Sequence, residues 1–103
     1  MIDIELKQLP NQELSITLDG NIYDITIRST TNSTTATIAR NGSTLIDNSR
    51  ILPLYPLLPY KYLEEGNFCL ITDSDALPDY TLFGISQSLV YLTTAELEEL
   101  RNV

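Results

Sequence analysis

Histidine and tryptophan are absent from this chain of 103 residues, and there is a single cysteine. Without histidine there is no imidazole acid–base catalysis, no Ser-His-Asp constellation and no histidine zinc site. Cys69 has no partner for an intrachain disulfide and no imidazole to activate it, and in the run "FCLIT" it reads as a small core residue. The four glycines stand alone at positions 20, 42, 66 and 84, which excludes a glycine-rich phosphate loop. Positive charge is scarce: six Lys and Arg face 14 Asp and Glu, for a net charge of -8. Nucleic acid and anionic lipid call for clustered cations, so they are poor partners for this chain. No apolar run approaches the ~18 residues of a membrane helix. The opening "MIDIELKQLP" has no basic region followed by an apolar stretch, as a secretory signal would. These absences lead to the expectation of a protein made in a reducing compartment that stays soluble or joins a larger soluble assembly.

What is present is strand pattern. Ile2, Ile4 and Leu6 alternate with Asp3, Glu5 and Lys7; Leu14, Ile16 and Leu18 repeat that period of two, as do Tyr23, Ile25 and Ile27. Asp19-Gly20 separates two of these runs and Asn41-Gly42 precedes Leu45, both dipeptides that favour tight hairpin turns. Ala36 and Ile38 point to one face between them. Residues 30–34 are rich in turn formers and are expected to form an exposed loop. Asn32-Ser33-Thr34 and Asn41-Gly42-Ser43 fit the glycosylation pattern but read as turn chemistry.

The second half adds "GNFCLITD" and "SLVYL" as short apolar strands, then "TTAELEELRNV". There Thr93 and Glu96 form a capping-box pattern, with Leu97 and Leu100 on one helix face and Arg101 in the last turn. The expected fold is a single mainly β domain over residues 1–103. It is a small antiparallel barrel or sandwich of six to eight strands with a short helix at 94–101. Ile4, Leu6, Leu14, Ile16, Leu18, Ile25, Ile27, Ile38, Phe68, Leu70, Leu89 and Tyr91 are the expected core.

Between the halves lies "LPLYPLLPYKY", residues 52–62, with Pro53, Pro56 and Pro59 at every third position. A helix cannot run through it, and a central strand would lose a ladder donor at each proline. It reads either as a crossover packed over the barrel end or as an interface segment covered in an assembly. Asp73, Asp75 and Asp79 raise the question of a calcium loop, but Leu77, Pro78 and Gly84 stand where such a loop needs a ligand, a glycine and an acid. A solvated acidic loop is the plainer reading, and Glu64-Glu65 and Glu98-Glu99 are solvated pairs. The sequence therefore offers no catalytic residue, no cofactor site and no metal site. Its candidate surface is an interface of Pro53, Tyr55, Pro56, Leu57, Pro59, Tyr60 and Tyr62 with Asp73, Asp75, Asp79 and Tyr80. Tyrosines on a proline-stiffened segment supply contact area at low entropic cost, and the acids would steer a basic neighbour.

"LPNQELSITLDGNIYDITI" resembles the opening of the baseplate plug family of contractile-tailed bacteriophages, through Pro10, Asn11, Gln12, Leu14, Ile16, Leu18, Gly20, Tyr23, Ile25 and Ile27. The second half is similar too, in the proline and tyrosine segment 53–62 and the strand 66–73. It continues in Pro78-Asp79-Tyr80 with Phe83-Gly84, and in the strand 89–92. The resemblance covers about residues 4–93. It departs at Ser86, where many members carry arginine, and in the order of Pro78 and Asp79. The missing arginine puts an inter-subunit salt bridge there in doubt. The resemblance implies a non-enzymatic virion part, made in the bacterial host cytoplasm and located in the tail baseplate. Its implied partners are the hub, the tube initiator and copies of itself. The alternative from the residues alone is a free-standing β module for a carbohydrate or a peptide.

Overall fold

Period-two alternation over short runs, each closed by a turn dipeptide, builds antiparallel hairpins. The computed structural model describes residues 1–30, 33–58, 66–73 and 76–101. Among the described residues there are seven strands: β1 Ile2–Ile4, β2 Asn11–Leu18, β3 Asn21–Ser29, β4 Thr34–Arg40, β5 Ser43–Arg50, β6 Asn67–Ile71 and β7 Ser88–Leu92. A helical turn at Tyr80–Leu82 precedes β7, and helix α1, Thr94–Arg101, follows it. The strands form two antiparallel sheets, β2-β3-β4-β5 and β1-β7-β6. Of the two expected architectures it is the sandwich that forms, since the sheets do not close into a barrel.

Both expected hairpin turns are present. Asp19 and Gly20 have φ of 51° and 78°, and Asn41 and Gly42 have 51° and 86°, the paired positive values of a type I′ turn. Asn41 also links the two hairpins. Its Oδ1 accepts from the Ile22 N–H at 2.9 Å, and its Nδ2 donates to Asn21 Oδ1 at 2.9 Å.

The core lies between the sheets. Ile25, Ile27 and Ile38 from one sheet and Phe68, Leu70 and Leu89 from the other are buried, as expected. At its centre the rings of Tyr23, Phe68 and Tyr91 meet edge to face or tilted, with centroids 5.1, 5.3 and 5.9 Å apart. Such pairs contribute about 0.5–1.5 kcal/mol each beyond area burial. Tyr91 reaches past Gly66 to donate its hydroxyl to Asp19 Oδ2 at 2.8 Å. A Cβ on Gly66 would lie 2.0 Å from that hydroxyl, so the glycine makes room for the ring.

Several expectations need correction. Leu14 and Ile16 are only half-buried, because β2 is the edge of its sheet and, among the described residues, no strand pairs beyond it. Thr34 is buried and begins β4 instead of extending the exposed loop; positions 31 and 32 of that loop lie outside the described residues. Cys69 is half-buried, not a core residue, and burial still pushes its thiol up, which makes it a weaker nucleophile. Phe83, Ile51, Leu57 and Leu58 join the core although they lie in irregular segments without a period. The capping box forms as expected: Glu96 Oε1 accepts from the Thr93 N–H at 3.1 Å, and Thr93 Oγ1 accepts from the Glu96 N–H at 3.3 Å. It aims Leu97 into the interior, where it is buried.

Candidate interaction surface

The proline segment is held to β6 as an irregular added strand. Pro53 and Leu54 (φ 64°) occupy the centre of a turn in which the Tyr55 N–H donates to the Leu52 carbonyl at 3.4 Å. Beyond the turn, the Leu57 N–H donates to the Phe68 carbonyl at 2.8 Å, and Pro56 faces Cys69 across the pair. Pro56 therefore sits where no inward donor is needed, and the ladder loses nothing at that position. Asn67 completes the clip. Its side chain accepts from the Leu58 N–H and donates to the Leu58 carbonyl, both at 2.9 Å. The residues 52–58 thus cover the β6 edge with a strand whose own outer edge is broken by prolines.

The docking divides this segment into two kinds of residue. Leu57 and Leu58 are 7% and 1% exposed and belong to the core, so Leu57 leaves the expected outer surface. Tyr55 is 65% exposed, Leu54 and Pro56 are exposed, and Pro53 is half-exposed. Pro59, Tyr60, Tyr62 and Asp75 lie outside the described residues. The segment is thus anchored through Leu57 and Leu58, while Leu54, Tyr55 and Pro56 face outward.

The loop before β7 is positioned by Gln87, a buried polar residue with no sequence signal. Its Nε2 donates to the Leu77 carbonyl at 2.9 Å and its Oε1 accepts from the Asp79 N–H at 2.8 Å. Asp79 caps the following turn, where its Oδ1 accepts from the Thr81 N–H at 3.0 Å and from the Thr81 hydroxyl at 2.7 Å. Asp73 and Asp79 are exposed, and Tyr80 leans on the core. Among the described residues no cluster of three metal-ligating side chains occurs.

Two clefts flank the end of β5. One, of about 420 Å³, lies between the β3–β4 connection and Leu77, Pro78, Asp79 and Tyr80. The other, of about 340 Å³, is bordered by Leu52, Tyr55 and Pro56. Arg50 and Ile51 line both. The fold thereby brings the proline segment and the Asp79–Tyr80 loop to opposite sides of one exposed arginine. Arg50 was not among the expected residues. Its only signal in the sequence is rarity, as one of six cations directly before the proline segment.

A model of the family described as cyanophage baseplate Pam3 plug gp18 matches residues 1–95, which include all seven described strands and both sides of this surface. The chain belongs to that baseplate plug family. No curated protein matches it. The order of pieces that carried the resemblance in the sequence runs through the whole sandwich: the β2–β3 hairpin, the proline segment, β6, the Pro78-Asp79-Tyr80 loop and β7. As a member of the family, the plug protein is a structural component of a phage tail baseplate.

Proposed function

We propose that this plug protein holds its place in the baseplate of a contractile tail through the surface around Arg50, meeting the hub or the tube initiator and neighbouring copies of itself. The observation that carries this is the convergence on Arg50 of two separate segments, one with the exposed Tyr55 and the other with Asp79 and Tyr80. Tyrosine and arginine at the centre of a concave surface are the residue types that dominate binding energy at protein interfaces. The exposed acids beside them favour a neighbour with basic groups at its rim. The chain acts by contact and not by catalysis, with neither cofactor nor metal, in keeping with a sequence that has no histidine. It is made in the cytoplasm of the bacterial host and enters the virion from there.

The test replaces Tyr55→Ser together with Arg50→Ala. Both side chains are exposed, so the isolated variant should melt within a few degrees of the parent, while its amount in purified tails should fall at least about tenfold. Parent-like incorporation of the double variant would refute the surface. A variant that no longer folds would show that Tyr55 or Arg50 supports the domain itself.

A further inference from the structure

Each edge of the two sheets is blunted except one. β1 has three residues, and β6 is covered by residues 52–58, whose outer side is interrupted by Pro53 and Pro56. β5 shifts register against β4 and carries Asn48 at a φ of 50°. By contrast, β2 runs eight residues in unbroken register with β3, without proline, lysine or bulge. Long, regular edges of this kind are templates for pairing with another chain.

The free side of β2 follows from its pairing. The Ser29 N–H donates to the Pro10 carbonyl at 2.7 Å, so the even-numbered residues of the strand bond to β3. The backbone groups of Glu13, Ser15 and Thr17 point the other way and meet no backbone partner among the described residues. On the inner face, Leu14 and Ile16 pack against the core yet stay half-buried. On the outer face, Glu13 is exposed, Asp24 sits opposite Ser15 and accepts from its hydroxyl, and Arg28 lies opposite Asn11 at the start of the strand, so the two acids around Ser15 outnumber one cation.

From these features, and on the reading that the chain is a baseplate part, we infer that β2 receives an added strand from a different protein. That strand is apolar on the face that continues the Leu14 and Ile16 row and basic on the face beside Glu13 and Asp24. The charge decides between occupants. A second copy of this chain would bring another net charge of -8 to an edge that is already acidic, whereas a basic strand neutralises it.

Amide hydrogen exchange of the full chain, free and in purified tails, tests this. In tails the amides of Glu13, Ser15 and Thr17 should exchange at least about tenfold more slowly than in the free chain. Two variants accompany it: Glu13→Pro, which removes a free-edge donor and no β2–β3 bond, and Glu13→Lys, which reverses the charge with the backbone intact. Both should melt close to the parent and incorporate less. Unchanged exchange of these amides in tails, or normal incorporation of both variants, overturns the strand. Protection that appears in the concentrated free chain makes the occupant a second copy and overturns the basic partner. A chain missing from purified tails refutes the baseplate reading itself, and this inference with it.

Discussion

At the scale of single residues, two of the positive-φ sites outside the hairpin turns, Gly66 and Leu54, behave oppositely. Gly66, at a φ of 114°, also lies where a Cβ would overlap the Tyr91 hydroxyl. Gly66→Ala combines backbone strain with displacement of a central ring, and a loss of about 3 kcal/mol or more is expected by urea unfolding. Leu54 holds a φ of 64° with its side chain half in solvent. A left-handed conformation costs a bulky residue about 1–2 kcal/mol, against about 0.5–1 kcal/mol for the extra freedom of an unfolded glycine. Leu54→Gly should therefore leave stability unchanged or raise it slightly. Tyr91 has its phenol pushed well above the ordinary range by burial, with the Asp19 hydrogen bond adding to the effect. Its neutral form is the one the fold favours. Its contribution is complete below the ordinary tyrosine range and is lost only as pH rises towards the shifted value. Alkaline absorbance titration should show Tyr91 ionising last, together with unfolding.

At the scale of elements, side-chain clips do what regular ladders cannot. Residues 52–58 have few backbone bonds to β6, and Asn67 supplies two more from its side chain. Asn67→Ala would leave Leu58 unsatisfied in a buried position. A loss of about 1–3 kcal/mol is expected, with exchange of the Leu57 and Leu58 amides accelerated more than that of the β2–β3 hairpin. Helix α1 depends similarly on its first turn. The Met1 amino group hydrogen-bonds the Glu96 carboxylate and, with the Thr93 backbone N–H, holds it below the usual carboxylate range. Because the folded value is depressed, this support is present above the ordinary carboxylate range and disappears as pH falls through the folded value. Acid should fray α1 before the sheets, seen as early loss of the Leu97 amide protection. Thr93→Ala should weaken the helix by about 1 kcal/mol at neutral pH.

At the scale of the whole molecule, both sheets contribute to one interior, through Tyr23 from one side and Phe68 and Tyr91 from the other. That sharing leads us to propose that the chain unfolds as one unit. Urea unfolding followed by tyrosine fluorescence and by far-ultraviolet dichroism should give one coincident transition, and two separate midpoints would mean that the sheets unfold independently. Within that interior Ile25→Ala should cost about 2–5 kcal/mol, while Ile16→Ala should cost less in the free chain because the β2 edge is half-covered. The amino-acid sequence by itself determined the strands of the first half, both hairpin turns, the capping box and most of the core. Each of these rests on short-range spacing: a period of two, a dipeptide that tolerates positive φ, or a pair three residues apart. The family was also legible, in the order of the pieces. Only the tertiary structure decided the sandwich over the barrel, the half-burial of Leu14 and Ile16, and the split of the proline segment into buried leucines and an exposed tyrosine. It alone brought Arg50 between two distant loops. These features depend on which strand ends at an edge and which segments meet across many residues, and local periodicity carries no record of either.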